Sequence, residues 1–265
     1  MKPNAGDVFS NATAYEGYVG RWGRLVAKRF VEWLNVPQES TWLDVGAGTG
    51  ILTQVILQEA APQKVIGVDL SPEYIEYARQ HVQDARAEFR VNDAGDLTFE
   101  SPQFDAAVAG LVLNFVPSAE QVVKSMIDAV RVGGMVGAYV WDYGGQMEMM
   151  RHFWDAAIRI DPVAKEMEAG QRFAITRSEN LHALFESLDL NGVEVIPIDV
   201  QTPFSDFDDY WLPFLGAQGS VSRYLRGLND EGLTALRDQL QKQLPTQDDG
   251  TIPLMARAWA VKGTK

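Results

Sequence analysis

Cysteine is absent from all 265 residues of the chain. This excludes disulfide scaffolds, zinc sites with thiolate ligands and cysteine nucleophiles, and it is compatible with a reducing compartment. Long apolar runs are lacking too: the purest, Ala106–Leu113 and Ala258–Val261, are far shorter than the roughly 20 residues of a membrane-spanning helix. The segment Met1–Gly17 has no apolar core of the signal-peptide type. These absences predict a soluble cytoplasmic protein with no membrane partner.

Positive charge is also scarce. The chain has 23 Lys and Arg residues against 36 Asp and Glu residues, so its formal net charge is −13 and its pI is about 4.7. Such a surface repels phosphate backbones and lacks the basic stripe of a nucleic-acid-binding protein. Hydrophobic residues make up 46% of the chain, which is typical of a globular protein. We therefore expect one large domain, with or without a subdomain, and no nucleic-acid partner; the composition carries no signal for an oligomeric state.

Short apolar runs alternate with amphipathic segments through the first half of the chain. The pattern predicts a helix over Tyr15–Leu34 and further helices that begin at Ile51, after Ser71 and after Ser118, the last of them ending at Gly133-Gly134. The predicted strands are Thr41–Val45, Lys64–Asp69, Ala87–Asn92, Phe104–Leu111 and Met135–Trp141. This alternation predicts an α/β fold whose parallel sheet is covered on both faces.

The alternation stops after Asp142. We predict helical structure without a strand over residues 143–177, an irregular aromatic stretch over residues 204–228, and two helices, Ser178–Leu190 and Asp230–Leu244. The remaining strands are predicted at Val193–Val200 and Ile252–Val261. We interpret residues 143–177 and 204–228 as insertions that cover one end of the sheet, and residues 1–142, 178–203 and 229–265 as the core.

A glycine-rich turn, Asp44-Val45-Gly46-Ala47-Gly48-Thr49-Gly50, links the first predicted strand to the next helix. Glycines at such a turn let the backbone approach a ligand closely, and the helix N-terminus presents free N–H groups. Asp69 follows Gly50 by 19 residues, at the end of the second strand, where a carboxylate can accept both hydroxyls of a ribose. These features predict a cofactor that contains adenosine, and they leave open whether it is a dinucleotide.

Three further segments decide the resemblance. They are Asn92-Asp93-Ala94-Gly95-Asp96-Leu97, Gly110-Leu111-Val112-Leu113-Asn114-Phe115-Val116 and Val132-Gly133-Gly134. With the glycine turn and Asp69, they make the chain from about Tyr15 to Asp142 resemble the class I S-adenosylmethionine-dependent methyltransferases, in particular the small-molecule group of ubiquinone- and menaquinone-type enzymes. The resemblance implies S-adenosylmethionine as cofactor and a Rossmann-like three-layer sandwich. Its seven-stranded sheet would have the order 3-2-1-4-5-7-6, with strand 7 antiparallel.

The resemblance also implies roles near the methionine end of the cofactor. Gly46, Gly48 and Gly50 would let the loop pass the methionine part, and Asp44 would lie behind that loop. Leu111 would lie beside the sulfonium, with its carbonyl facing the cation.

At the nucleoside end, the resemblance implies that Asp69 holds the ribose hydroxyls and that Leu70 packs on the adenine. Asp93 would accept a hydrogen bond from the adenine amine, and the Ala94 N–H would meet a ring nitrogen.

The first predicted helix carries one more candidate. The resemblance places Arg21 at the cofactor carboxylate, although Arg24, one helical turn away, carries the same charge. Tyr15 and Tyr18 either cover the cofactor or pack the apolar face of the helix.

The residues fit in-line methyl transfer to a small molecule, and they identify no catalytic residue. Such a transfer needs mainly a near-attack arrangement, and a general base only for a poorly acidic acceptor. We predict no metal site, because no histidines have metal-ligand spacing. His81 and His182 fall on amphipathic helices, whereas His152 is placed to reach the pocket. The chain has no cysteine, and no Asn/Asp-Pro-Pro-aromatic motif follows the fourth strand. These two absences leave small molecules as the expected acceptors.

The two insertions are predicted to form a helical lid over the acceptor pocket. Their apolar side chains favour an apolar or aromatic acceptor, unless they simply pack the subdomain: Met147, Met149, Met150, Phe153, Trp154, Phe173, Phe207, Tyr210, Trp211, Phe214 and Tyr224. Arg151, Arg172 and Arg223 leave a carboxylate-bearing acceptor open. Two alternatives to a methyltransferase also remain: a nicotinamide-dependent oxidoreductase that uses the same glycine loop, and a cofactor-binding protein without catalysis.

Overall fold

Seven strands form one mixed sheet in the order β3-β2-β1-β4-β5-β7-β6. The computed structural model describes residues 21–97, 99, 102–216 and 220–265. The strands are β1 (Thr41–Val45), β2 (Lys64–Asp69), β3 (Ala87–Val91), β4 (Phe104–Gly110), β5 (Val130–Trp141), β6 (Asn191–Gln201) and β7 (Met255–Thr264). Strands β1 to β5 are parallel, and β7 runs antiparallel to both β5 and β6. The predicted strand order and the antiparallel strand 7 are confirmed.

Ten α-helices lie in the described part of the chain, with short 3₁₀ turns at Pro162–Met167 and Ala174–Thr176. None of them is long and apolar enough to cross a membrane. They are α1 (Arg21–Leu34), α2 (Ile51–Glu59), α3 (Pro72–His81), α4 (Ala119–Ala129), α5 (Glu148–Ile160), α6 (Ala169–Arg172), α7 (Ser178–Ser187), α8 (Phe207–Leu215), α9 (Ser220–Gly227) and α10 (Asp230–Gln243). The predicted caps of α3 and α4 form, because Ser71 accepts a hydrogen bond from the Tyr74 N–H and Ser118 from the Gln121 N–H.

Side chains of alternate residues in the strands build a core on each face of the sheet. In β1, Trp42 faces the core shared with α1, α2 and α3, and Leu43 faces the core shared with α4 and α7. The period of two residues in a strand produces this alternation. Because both faces are covered, the sheet is the middle layer of a three-layer α/β sandwich, as predicted.

Three local predictions were wrong. Gly133 and Gly134 do not end α4; they lie inside β5, where the Gly133 N–H donates to the Lys265 carbonyl and Gly134 accepts from the Lys265 N–H. The last strand is Met255–Thr264 rather than Ile252–Val261, and Ile252 forms only an isolated bridge with Phe204. Residues 204–228 are not irregular, since α8 and α9 occupy most of them.

The insertion helices pack mainly against one another and against α10. Phe153 of α5 stacks on Phe214 of α8, with ring centroids 4.6 Å apart, and the Tyr210 hydroxyl donates to the Met149 carbonyl at 2.9 Å. Helix α10 packs on α5, where the Gln243 side-chain amide donates to the His152 carbonyl. The helical structure predicted for residues 143–177 is confirmed, and α5 is its main element.

Candidate functional site

A pocket of about 450 Å³ opens at the carboxyl ends of β1, β2, β4 and β5. In open α/β sheets ligands bind at this edge, outside the ends of the strands. Most of its surface is apolar, and polar groups come from the glycine turn and from the end of β2. Its lining is Gly23, Gly46, Ala47, Gly48, Thr49, Ile51, Leu52, Asp69, Leu70, Ser71, Tyr74, Gly110, Leu111, Val112, Phe115 and Tyr139.

The glycine turn is held by backbone hydrogen bonds to the neighbouring strand. The N–H groups of Gly46 and Ala47 both donate to the Val68 carbonyl of β2, at 2.8 and 2.9 Å. Gly46 has φ +72°, and a Cβ built on it would collide with the Val112 side chain. Glycine is required there, because the left-handed backbone and the lack of space both disfavour a side chain.

Asp69 ties the glycine turn to the start of α3. Its Oδ2 accepts from the Gly48 N–H and its Oδ1 from the Ser71 N–H, each at 2.9 Å. Burial raises the pKa of this carboxyl above its ordinary value, and the same backbone donors act in the opposite direction. An ionised carboxylate accepts about four hydrogen bonds, so each oxygen keeps the capacity to accept one more from a ligand.

Asp44 lies behind the turn and outside the pocket lining. It is 1% exposed, and its Oδ2 accepts from the Thr53 hydroxyl at 2.7 Å. Its Oδ1 has no hydrogen-bond partner among the described residues. Burial raises the pKa of the Asp44 carboxyl from 3.8 to about 7, against the lowering effect of the Thr53 hydrogen bonds. The role of Asp44 in cofactor binding stays a prediction.

Leu111 follows β4 and has a left-handed backbone, with φ 61°. Its N–H donates to the Tyr139 carbonyl of β5 at 2.8 Å, which holds the residue at the edge of the sheet. A non-glycine residue in this conformation costs free energy, and such residues concentrate at functional sites. The Tyr139 side chain lines the pocket below it, against the position where Gly110 lacks a Cβ.

Tyr74, on the first turn of α3, is a pocket residue that the sequence analysis missed. Its phenolic oxygen is buried and has no hydrogen-bond partner among the described residues. Burial, and after it the negative charge of Asp69, raise the pKa of the Tyr74 phenol. The signal in the sequence was its place three residues after the capping Ser71, which puts it on the first turns of the helix that faces the pocket.

The other predicted nucleoside contacts lie at the rim or beyond it. Leu70 lines the pocket and is 68% exposed. Asp93 is exposed and its Oδ1 accepts from the Gly95 N–H at 2.8 Å, whereas Ala94 is half-buried against the α4 side of the sheet; neither lines the pocket. Arg21 begins α1, but its side chain, like the whole of Tyr15 and Tyr18, lies outside the described part of the structure.

Most large side chains of the insertions are in the core and do not face the pocket. Nine of them are buried in the cluster that α5, α8 and α9 share with the sheet: Met147, Met149, Met150, Phe153, Trp154, Tyr210, Trp211, Phe214 and Tyr224. Phe207 is half-buried against the same cluster, whereas the Phe173 ring lies 5.7 Å from that of the pocket residue Phe115. Tyr143 lies 6.3 Å from Phe173, so three aromatic rings, Phe115, Phe173 and Tyr143, form a rim beside the pocket.

The basic residues of the insertions have different surroundings. Arg151 is paired with Asp155 at 2.7 Å and with the buried Glu168, and Arg223 is exposed. The Arg172 guanidinium lies 5.1 Å from the centroid of the Phe173 ring, next to the aromatic rim. Of the three arginines, Arg172 is therefore the one beside the pocket.

The histidines do not enter the pocket lining. His81 stacks on Tyr77, and His182 lies 3.2 Å from Glu186, as expected for exposed helix positions. His152 is half-buried on α5, and burial lowers its pKa, but its side chain does not line the pocket as the sequence had suggested it could. Within the described ranges, no group of three or more His, Asp or Glu side chains could hold a metal ion.

Comparison with known proteins adds to this geometry. Residues 43–134, which run from β1 into β5, match a family model described as a methyltransferase domain. The arsenite methyltransferase of Halobacterium salinarum is 30% identical over 173 residues, 63% of this chain and 42% of that protein. The 2-methyl-6-phytyl-1,4-hydroquinone methyltransferase of Synechocystis sp. is 22% identical over 231 residues, 85% of this chain and 68% of that protein. The chain thus spans less than half of the first relative.

The fold is also found among solved structures. A putative methyltransferase from Bacillus halodurans superposes with a TM-score of 0.59 at 16% identity, covering 90% of this chain and 98% of its own. At this identity the likeness concerns the fold.

Proposed function

We propose that the chain is a class I S-adenosylmethionine-dependent methyltransferase and that it transfers a methyl group from this cofactor to a small apolar or aromatic molecule. One observation carries the proposal: the pocket at the sheet edge combines the glycine turn, the Asp69 carboxylate and the left-handed Leu111 in one lining. The nicotinamide alternative is disfavoured, because dinucleotide-binding folds have a parallel sheet of order 3-2-1-4-5-6, without an antiparallel strand between β5 and β6.

The residues present fit S-adenosylmethionine. Gly46 and Gly48 line the pocket where the methionine part would pass, and the absent Cβ of Gly46 lets the turn pack against Val112. Each Asp69 oxygen retains one acceptor site for the ribose hydroxyls. The exposed Leu70 offers an apolar surface for the adenine. The turn, Asp69 and Leu70 thus offer groups that suit the methionine part, the ribose and the adenine, in that order.

The expected adenine contacts of Asp93 and Ala94 require the ligand to extend beyond the pocket. Asn92 donates its N–H to the Asp69 carbonyl, so Asp93 follows β3 directly beside the end of β2. An adenine that lies on Leu70 would extend toward this neighbour, where Asp93 and Ala94 can meet its polar edge. Arg21 keeps its proposed role at the cofactor carboxylate.

The bound cofactor supplies a methyl group that its sulfonium charge already activates. The protein then has to position the acceptor and exclude water. Leu111 and Tyr139 line the end of the pocket at β4 and β5, and the aromatic rim of Phe115, Phe173 and Tyr143 would form the acceptor side. This rim favours a flat apolar acceptor, and the hydroquinone methyltransferase relative is consistent with it. Residues 143–177 would then act as a lid through Phe173 and Tyr143.

The test of the cofactor site is the variant Asp69→Ala, measured by calorimetric titration with S-adenosylhomocysteine. A hydrogen bond to a charged group contributes about 1.5–3 kcal/mol, so the affinity should fall roughly ten- to a few hundred-fold. Glu73→Ala is the matched control, because Glu73 is exposed on α3 and does not line the pocket. If Asp69→Ala bound the ligand as tightly as the unchanged protein, the ribose would have to lie elsewhere.

The acceptor class needs a separate experiment. Purified protein is incubated with methyl-labelled S-adenosylmethionine and a metabolite extract, and labelled products are identified by mass spectrometry. We expect label in apolar or aromatic small molecules. Label only in nucleic acid or protein would contradict the proposed acceptor class.

A further inference from the structure

Gly170 of α6 lies against the backbone of the loop that follows β5. A Cβ built on Gly170 would come within 2.5 Å of the Gly144 Cα and within 3.1 Å of the Tyr143 carbonyl carbon. Carbon atoms in contact are normally about 3.5–4.0 Å apart, so a side chain at position 170 would force the two backbones apart by about 1 Å. Glycine is a poor helix former, and this close approach gives a physical reason for its presence in α6.

The contact joins the two segments that carry the outer part of the aromatic rim. Tyr143 directly precedes Gly144, and Phe173 directly follows α6. The centroid of the Phe173 ring lies 6.3 Å from that of Tyr143 and 5.7 Å from that of Phe115. A further aromatic ring stacked between two others needs a separation of about 7 Å, which is twice the contact distance. No ring fits between these neighbours, so the rim is a closed wall with Phe173 in its middle.

The segment that carries Phe173 is anchored on both sides of the glycine contact. Before it, Glu168 is 4% exposed and is paired with Arg151 of α5. After it, the buried Thr176 donates its hydroxyl hydrogen to the Phe173 carbonyl at 2.7 Å. Because both ends are held, a displacement at Gly170 has to be taken up between them, where the Phe173 ring lies.

We infer that Gly170 determines the acceptor specificity, because its missing side chain keeps the aromatic rim closed. This inference rests on the proposed function, in which the rim forms the acceptor side of the pocket. A closed rim favours an acceptor with a single aromatic ring and disfavours one whose second fused ring projects between Tyr143 and Phe173. The competing interpretation is that Gly170 only helps the insertion to pack, in which case its substitution affects acceptors of every width alike.

The experiment compares how wide a ring system each variant accepts. The unchanged protein and the variants receive methyl-labelled S-adenosylmethionine with 1,4-dihydroxybenzene or with 1,4-dihydroxynaphthalene, both kept reduced under argon, and kcat/KM is measured for each acceptor. Gly144→Ala is the matched control for Gly170→Ala. It adds the same methyl group to the other side of the contact, where the nearest atom of Gly170 is 3.6 Å away, an ordinary contact distance.

Gly170→Ala should raise the ratio of kcat/KM for the two-ring acceptor to that for the one-ring acceptor about tenfold, because a single methylene in a substrate pocket already decides a factor of this size. Gly144→Ala should leave the ratio as it is. Titration with S-adenosylhomocysteine should give the same affinity for both variants and the unchanged protein, since the rim lies outside the cofactor contacts. Thermal unfolding midpoints report whether the variants are folded.

A second variant keeps the test decisive if Gly170→Ala does not fold. Phe173→Ala opens the same gap without touching the backbone contact, so it should shift the ratio in the same direction. Gly170→Ala should add nothing in the Phe173→Ala background, because Gly170 acts through that ring. A purely structural role would instead give independent effects in the two positions.

An unchanged ratio in Phe173→Ala, an unchanged ratio in a folded Gly170→Ala, or an equal loss with both acceptors would overturn the inference while the proposed function stands. A full effect of Gly170→Ala in the Phe173→Ala background would overturn it as well. An unchanged protein that transfers label to neither acceptor would contradict the proposed aromatic acceptor, and this inference with it.

Discussion

Asp44 gives the fold a pH dependence that one substitution should remove. The carboxyl is buried behind the glycine turn, where its pKa is raised from 3.8 to about 7, chiefly by burial. Below the unfolded-state value both states hold the proton, and above about 7 both have lost it. Between these values the folded state alone holds it, so stability falls as pH rises through this range. Asp44→Asn keeps the shape and the acceptor for Thr53 but does not titrate.

The size of the effect follows from the two pKa values. One pKa unit corresponds to about 1.4 kcal/mol, so between pH 5.5 and pH 8 the Asp44 carboxyl should cost the folded state about 2 kcal/mol. The assay is urea unfolding followed by tryptophan fluorescence, for the unchanged protein and for Asp44→Asn, at pH values above the pI of about 4.7. The difference between the two unfolding free energies should move by about 2 kcal/mol in favour of the variant.

The control variant is Asp96→Asn, which removes an exposed carboxyl. Its unfolding free energy should keep a constant offset from that of the unchanged protein across the same pH range. A constant offset for Asp44→Asn as well would refute the reasoning, because Asp44 would then titrate alike in the folded and unfolded chain.

Two further predictions concern the pocket walls. Gly46→Ala should weaken S-adenosylhomocysteine binding by more than roughly tenfold in titration, because its Cβ would meet Val112. The control Gly192→Ala has the same left-handed backbone but open space around it, so it should bind normally. Equal affinities in both variants would contradict the close approach at the turn. Phe173→Ala should raise the KM for an identified acceptor without changing the KM for the cofactor, since the ring lies on the proposed acceptor side of the pocket. An equal rise in both KM values would remove Phe173 from the proposed acceptor rim.

The strands next to the pocket could be predicted because local signals mark both of their ends. β1 and β2 are buried apolar runs that end at a glycine turn and at Asp69, and both predicted ranges match the structure. The order of the strands came from the resemblance, since no local pattern encodes which strands pair. β5 was misplaced at its start because Gly133-Gly134 reads as a helix end. In the structure the two glycines lie where the pairing of β4 with β5 is irregular: Val130 is opposite Phe104, and Met135 is opposite Ala106.

The insertions show why apolar composition does not locate a binding surface. Tyr210, Trp211 and Phe214 suggested a lid that faces the pocket, yet they pack into the core around α5. Pro213 also hid α8, because proline inside a helical pattern normally ends a helix. Tertiary contacts decide whether such a side chain faces the pocket or packs inside the subdomain. The same residue types occur in both places, so composition does not distinguish them.

The candidate site could be predicted for the groups that a single loop or strand end positions. The pocket lining includes Gly46, Gly48, Asp69, Leu70 and Leu111, whereas Gly50 lies outside it. The hydrogen bond from Gly48 to Asp69 and the unpartnered Tyr74 hydroxyl could not be foreseen, because they depend on how α3 is placed against the turn. Such relations between elements exist only in three dimensions.

The central claim is that the pocket at the carboxyl ends of the strands holds S-adenosylmethionine. It is tested most directly by titrating the unchanged protein with S-adenosylhomocysteine and, in parallel, with NAD, and by following heat release and the thermal unfolding midpoint. We predict one-site binding and a raised midpoint with S-adenosylhomocysteine, and neither with NAD. Binding of NAD without binding of S-adenosylhomocysteine would contradict the account.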